Sequence, residues 1–496
     1  MGVMRFVVHP AELFADWPEV YRAYISGVDQ AAWPTRIEVV GNQILCRRQN
    51  SDSGKLNIAW PVPGFGRPVL ATASLPERED IYVLAVELAR GKIVQIRNQL
   101  AAWQSAGMAI PEAFVPLHRE AHQLLARSVA ARDDPARASA VAQEAILKEC
   151  QAAEILTNSY VSQRLDVRHR QYPQLPTVLG CSLGDSLLGP HQKRQFLEAF
   201  NGAAIPAQWR YIEPEEGVYR WATYDAQVEW AIENNLLLRG GPLVDLSPNG
   251  LPKWLSQWEH DYWNLQSFVC DFIETVMSRY LGRIRIWEVA ARPNAGGALT
   301  LTEENRLTLV AKILEVARQV DQEGQFLIRI DQPWGEYQAR GQHKLSPMHF
   351  ADALIRAGME LSAINLEIGI GYSPLGSPSR DLVDFSRMID QWSALGLPLQ
   401  VTLAFPSGTE PDANQTTDLE VDARSWKQTV NERAQAEWID EYIPLLLAKP
   451  AVLAVFWNHL SDAQPHRFPH AGLVRPDGSA KPSLERFVSL RELHWS

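Results

Sequence analysis

Five ionisable residues stand where short apolar runs end: Asp245, Arg292, Asp331, Glu367 and His459. Two carboxylates held close together can divide acid and base roles between them. An arginine can take neither role, because its guanidinium stays protonated with a pKa above about 12. It can clamp a carboxylate or phosphate through paired N–H donors. One arginine among three acids and a histidine therefore reads in two ways. It is a rebuilt site, suited to an anionic ligand, or a set of charges that satisfy one another.

A second cluster has metal-ligand residue types: His459, His466 and His470 with Asp462. Pro465 and Pro469 make that stretch an irregular loop, and its spacing matches no standard metal motif. No metal or cofactor is expected. Cys46, Cys150, Cys181 and Cys270 are widely spaced and read as buried free thiols of a reducing compartment.

The elements that position the charged residues follow from an alternation of short apolar runs with helical stretches. Strands are expected over 177–183, 203–209, 236–246, 284–289, 326–331, 364–370, 399–404 and 452–457, with a helix over 191–200. Eight strand–helix units predict an α/β fold, a closed (β/α)8 or TIM barrel, whose chemistry sits at the carboxyl ends of its strands. Asp245, Asp331 and Glu367 then lie at the ends of strands three, five and six. Arg292 follows strand four and His459 follows strand eight.

The 496 residues exceed one such barrel and leave room for a further unit. Residues 1–75 read as a β-rich domain, with Gly41-Asn42 as a hairpin turn and dense Pro and Gly between Pro61 and Pro68. Trp33 and Trp60 there are carbohydrate-stacking platforms or, more simply, core. Residues 76–175 read as helical, with Asp133-Asp134-Pro135 as a helix start and the stripe Ala142, Ile146, Cys150, Ala153, Leu156 and Tyr160 as packing surface. This segment is expected between the β-domain and a barrel over 176–496, and its 81–167 stretch is a candidate for self-association. The boundary is set at Tyr172-Pro173, after the basic patch Arg164, Arg168, His169 and Arg170.

Composition narrows the function. Hydrophobic residues make up 46%, charged residues 21%, and the net charge is −11, as for a globular protein with a sizeable core. With Arg119, Arg127, Arg132 and Arg137 interleaved with acids and alanines, nucleic acid is not an expected partner. Neither a signal-peptide pattern at Met1–His9 nor a membrane-length apolar run is present, so the expectation is a cytoplasmic protein without membrane contact.

Motifs along residues 177–496 resemble glycoside hydrolase family 10, the xylanase-type branch of a large clan of sugar-cleaving (β/α)8 barrels. Trp209-Arg-Tyr-Ile-Glu-Pro-Glu-Glu-Gly217, after Phe200-Asn201, is similar to its Lys-Trp-Glu-x-x-Glu-Pro-x-x-Gly. Arg239-Gly-Gly-Pro-Leu-Val-Asp245 resembles Arg-Gly-His-Thr-Leu-Val-Trp, and Leu251-Pro-Lys-Trp254 resembles Leu-Pro-x-Trp. Trp287-Glu288-Val289 and Pro293 keep the frame of Trp-(Asp/Glu)-Val-x-Asn-Glu-Pro, the acid/base strand end. Leu397-Pro-Leu-Gln-Val-Thr402 resembles the approach to the nucleophile, and Trp457, Gly472-Leu-Val474 and Lys481-Pro482 the closing segment.

The resemblance implies a mechanism that these residues cannot perform. Retaining glycosidases need two carboxyls about 5–5.5 Å apart. Here Arg292 stands at the acid/base position and Leu403 at the nucleophile position. The sugar-holding positions have changed too, to Ala204, Ile205, Gln208, Gly241, Asp245, Glu367 and Gly369, while Trp457 and Asp331 survive. The expected function is a xylanase-like pseudoenzyme barrel that retains binding of a carbohydrate or anionic sugar-like ligand. Trp209, Arg239, Arg292, Trp457 and His459 are the candidate ligand contacts. The alternatives are an enzyme using Asp331, Glu367 or Asp245 as replacement carboxylates, and a non-enzymatic scaffold. The long loop 405–424 is positioned to cover the mouth, and Asn414-Gln-Thr416 is read as an accidental match to a glycosylation pattern.

Overall fold

Eight parallel strands close on themselves in the computed structural model, which describes residues 2–341, 343–424 and 426–495. They are β1 (Val178–Ser182), β2 (Gly202–Ile205), β3 (Leu237–Gly240), β4 (Ile286–Ala291), β5 (Gln325–Asp331), β6 (Ala363–Gly369), β7 (Leu399–Ala404) and β8 (Val452–Trp457). Each pairs with the next in chain order, and β8 pairs with β1, so no edge remains. The chain is a (β/α)8 barrel.

Three strands differ from expectation, each for a local reason. β2 stops at Ile205 because Pro206 has no N–H to give the ladder, and Trp209–Ile212 forms a helical turn instead. β3 is interrupted at a cis Gly241–Pro242 bond, and a two-residue strand, Val244–Asp245, resumes the pairing with β4. β4 runs two residues further than predicted: Ala290 and Ala291 still pair with Ile328 and Arg329, past a register shift at Glu288/Ala290. The loop therefore opens at Arg292 rather than at Ala290.

Before the barrel lie two four-stranded sheets. In one, Thr35–Val40 and Gln43–Arg48 form the hairpin through Gly41-Asn42. Helices α1 (Leu84–Ser105), α2 (Phe114–Ala130) and α3 (Pro135–Gln171) follow. Asp134 caps α3, its carboxylate accepting from the Arg137 N–H at 3.1 Å, with Pro135 in the first turn. The apolar stripe of α3 serves two cores in succession. Ala142, Ile146 and Cys150 pack with Phe6, Ile44 and Trp60, whereas Ala153, Leu156 and Tyr160 pack with the barrel residues Leu179 and Phe196. Near its end, buried Arg168 donates to the Leu447 carbonyl at 2.5 Å and to Thr177 Oγ1 at 3.1 Å.

Trp60 is core, its Nε1–H donating to Gln143 at 2.7 Å, and Trp33 is half-buried beneath the Arg48 guanidinium. All four cysteines are free. Among the described residues no helix is long and apolar enough to cross a membrane.

Candidate functional site

Arg292 is the first residue past β4, and its backbone is left-handed with φ of 58°. A non-glycine residue there costs about 1 kcal/mol or more and persists only where its surroundings hold it. The holding groups are a 2.8 Å hydrogen bond from its N–H to the Arg329 carbonyl and a 2.9 Å bond from Gly296 N–H to its own carbonyl.

The side chain reaches two carboxylates. Nε and Nη2 donate to the two oxygens of Glu367, at 2.5 and 2.6 Å, and Nη1 donates to Asp245 at 2.7 Å. All three residues are buried. Burial alone raises a carboxyl pKa, but the Arg292 and Arg329 guanidiniums outweigh it and hold Glu367 at about 2. Asp245, buried beside Arg292 and Arg467, is likewise held well below the carboxylate range. Arg292 itself is locked in its charged form: burial opposes the charge, and Asp245 and Glu367 more than offset it.

Under this clamp a second polar layer fills the barrel. Glu288 on β4 accepts from the Asn365 amide at 2.5 Å and lies 2.7 Å from Arg329 Nε, a charge contact without hydrogen-bond alignment. Arg239 donates to Gln400 at 2.9 Å and stacks over the Phe456 ring at 3.8 Å. Its burial lowers its pKa to about 10, which leaves it a cation at neutrality.

The mouth above is half closed. Over β6 and β7, Phe468 packs on Gly369 so tightly that a Cβ there would lie 2.4 Å from the ring. Tyr372, Ala404, Leu419 and Ala471 complete that apolar plug. Leu403 is fully buried and does not line the cleft at the mouth. On the opposite side a cleft of about 80 Å³ remains, lined by Asp185, Arg210, Arg239, Arg292, Asn458 and Arg467 among others. Arg467 donates to Ser247 at 3.2 Å, but its Nε and Nη2 are buried without a hydrogen bond, Nη2 lying 3.7 Å from Asp331. Burial pushes the Asp185 carboxyl up to about 6, against a 2.9 Å hydrogen bond from Tyr224. It does the same to Asp331, which Arg467 and Arg292 only partly counter.

The loop 405–424 contributes Thr416 and Thr417 to the cleft wall, and their hydroxyls donate to the His466 and Arg467 carbonyls at 3.1 and 2.6 Å. The Asn414 amide donates to the Asp462 carbonyl at 2.9 Å.

His459, Asp462 and His466 bring potential ligand atoms within 4.8 Å of one another. Each atom already has a partner. Asp462 holds Lys481 Nζ at 2.5 Å and lies 3.3 Å from His459, and His466 spans the Gln464 carbonyl and Asp412, both at 2.8 Å. A cation would have to displace Lys481 and Asp412. His470 is bonded elsewhere, to the Glu410 carbonyl at 2.6 Å. Burial, with His466 stacked 4.4 Å away, lowers the His459 pKa to about 4, so its ring is neutral.

Of the residues singled out from sequence, the fold brings Asp245, Arg239, Arg292, Trp457 and His459 to the cleft. Trp457 keeps its indole N–H on the Ala471 carbonyl at 2.7 Å. Trp209 does not face the cleft. It is core, stacked on Phe272 at 4.7 Å with its N–H on Glu213 at 2.6 Å. Glu367 and Asp331 stand behind the arginines rather than on the cleft wall. Sequence reasoning missed Asp185, Arg210, Asn458 and Arg467. Asp185, Asn458 and Arg467 come from loops and Arg210 from the short helical turn after β2, none with periodicity, and only the proline bracket around Arg467 marked a special conformation.

The family described as Glycosyl hydrolase family 10 matches residues 188–307. Endo-1,4-beta-xylanase B of Thermotoga neapolitana is 25% identical over 208 residues, which are 40% of this chain and 57% of that protein. Endo-1,4-beta-xylanase A of Phanerodontia chrysosporium is 27% identical over 228 residues, 44% of this chain and 53% of that protein. The chain thus spans about half the length of these curated relatives. Among solved structures, native xylanase 10B from Thermotoga maritima aligns over 67% of this chain and 97% of its own, with 18% identity and a TM-score of 0.48. A GH10 endoxylanase from a sugarcane soil metagenome aligns over 66% and 99%, with 15% identity and a TM-score of 0.49.

Proposed function

We propose that this chain, whose barrel is xylanase-like and of the glycosyl hydrolase family 10 kind, does not hydrolyse xylan and instead binds a carbohydrate or anionic sugar-like ligand at the barrel mouth. The observation that carries this reading is the Arg292 clamp, with both Glu367 oxygens and Asp245 tied to one guanidinium. A double displacement needs one carboxyl that donates a proton and one that attacks. Glu367 at about 2 holds no proton to donate near neutrality, and its lone pairs are engaged. Leu403 offers no carboxyl, and the apolar plug lies over its side of the barrel.

Ligand binding is supported by the other side of the mouth. Arg467 presents two buried, unbonded N–H donors beside a cleft whose wall carries more guanidiniums than carboxylates. Buried donors without partners are costly unless a ligand or water completes them. A carboxylate-bearing sugar matches both the charge and the donors. The test is calorimetry with xylobiose and aldouronic oligosaccharides beside a reducing-sugar assay on xylan. Binding of the acidic oligosaccharides without turnover is expected. Absence of binding, or xylan turnover, sinks the proposal.

One observation favours a second reading, an enzyme with a replacement carboxyl. Asp185 lines the cleft and, with a pKa of about 6, carries a transferable proton near neutrality. Asp331 has a similar pKa but stands behind Arg467. On this reading, turnover of some glycoside would vanish in Asp185→Asn.

A further inference from the structure

A separate cavity lies away from the barrel mouth. It lies where the N-terminal sheet and α1 meet the barrel, between the strands Tyr24–Ser26 and Lys55–Ala59 on one side and the helix Leu382–Ser393 on the other. Its volume is about 420 Å³, within the ~300–1,000 Å³ common for small-molecule sites.

We infer that this cavity is a binding site for a small acidic sugar, one ring bearing a carboxylate or a phosphate. Charge is the first argument. Lys55 and Arg387 both line the cavity, and neither forms an ion pair among the described residues. The nearby acid, Asp384, is already engaged by Arg380 at 3.2 Å and by the Gln95 amide at 3.4 Å. At the rim, Asp29 is exposed and accepts from the Ala31 N–H. Lys55 is half-buried and its pKa is lowered, first by burial and then by Arg387. Two neighbouring cations, faced only by an Asp384 that is already paired with Arg380, favour an anion in a partly desolvated space.

The second argument is unsatisfied hydrogen bonding. Trp334 and Gln338 stand on the same wall, and the indole Nε1–H of one and the amide Oε1 of the other are buried with no partner. The Asn98 and Gln391 side chains also line the space and make no hydrogen bond among the described residues. The Asn98 and Gln391 amides, each a donor and an acceptor in the cavity wall, suit hydroxyl groups, which donate and accept at once. A simple anion would neutralise the cations and leave these groups open. A neutral sugar would do the reverse.

The site is separate from the mouth, so the two readings fail independently. The experiment uses the full chain and four probes: glucose 6-phosphate, D-glucuronate, glucose and inorganic phosphate. Calorimetry should show one or both acidic sugars binding at least about tenfold, or ~1.4 kcal/mol, more tightly than glucose or phosphate. In the unmodified protein the acidic sugar should slow acetylation of Lys55, read by mass spectrometry, and leave exposed Lys253 unchanged. Lys55→Met and Arg387→Met, shown to be folded by thermal melting, should each weaken binding about tenfold, whereas Lys253→Met should not. No binding by either acidic sugar overturns the inference. So does unaltered Lys55 acetylation in the presence of a bound sugar, or phosphate binding as tightly as its sugar ester.

Discussion

The Arg292 guanidinium meets the Glu367 carboxylate edge to edge, through two hydrogen bonds of 2.5 and 2.6 Å, across the mouth of a closed barrel. This pair joins the loop after β4 to the end of β6, and a third bond carries it on to Asp245. One guanidinium thus holds two buried acids ionised.

Breaking the pair from one side should therefore be expensive. Arg292→Ala leaves Asp245 buried without its bonded cation and Glu367 with Arg329 alone, and a loss of ~3–5 kcal/mol is expected in chemical denaturation. Arg292→Met combined with Glu367→Leu should be less damaging than the two single changes added together, with a coupling of ~1–3 kcal/mol. Additive losses would show that the pair does not act as a unit.

Placing carboxyls at positions 292 and 403 should not create a xylanase. Arg292→Glu with Leu403→Glu is expected to give no xylan hydrolysis above background in a reducing-sugar assay. A glutamate at 403 would enter a fully buried site, and Ala204, Gly241 and Gly369 present no side chains to hold a sugar. Phe468 fills the space over Gly369. Robust hydrolysis would mean that the plug opens readily.

Arg467 separates binding from folding. Its Nε and Nη2 have no hydrogen-bond partner, so Arg467→Met should leave the thermal midpoint within a few degrees while weakening any acidic ligand at the mouth at least about tenfold. A large fall in the midpoint with ligand affinity unchanged would assign this arginine to structure alone.

Acid should destabilise the fold in two stages. His459 has a folded-state pKa of about 4 against an ordinary 6.5, so between these values the unfolded chain binds the extra proton and stability falls as pH falls. The change is on the order of 3 kcal/mol. Glu367 has a folded-state pKa of about 2 against 4.5, and its contribution, complete above pH 4.5, is lost as pH drops toward 2. Thermal melts of His459→Asn from pH 7.5 to 4 should be flatter than those of the parent. Parallel curves would remove His459 from this account.

Much of the barrel was legible because its signal is local. β7 and β8 fall on their predicted residues: β8 is a continuous apolar run, and β7 alternates Leu399, Val401 and Leu403 with the polar Gln400 and Thr402. The ends of β2 and β4 were not, because Pro206 stops one ladder early and cross-strand pairing carries the other on through Ala291.

For the site, residue type alone determined which roles two positions cannot take. Leucine at 403 and arginine at 292 exclude the two carboxyl roles whatever the fold does, because protonation chemistry belongs to the residue type. Only the tertiary structure decided which partners the charged residues have. The Arg292 clamp joins residues 47 and 75 positions apart, the plug sets Phe468 on Gly369, and Arg467 arrives from a loop after β8. Such partnerships are set by barrel closure and by the desolvation that makes each buried charge find a counter-charge. Neither leaves a periodic trace along the chain.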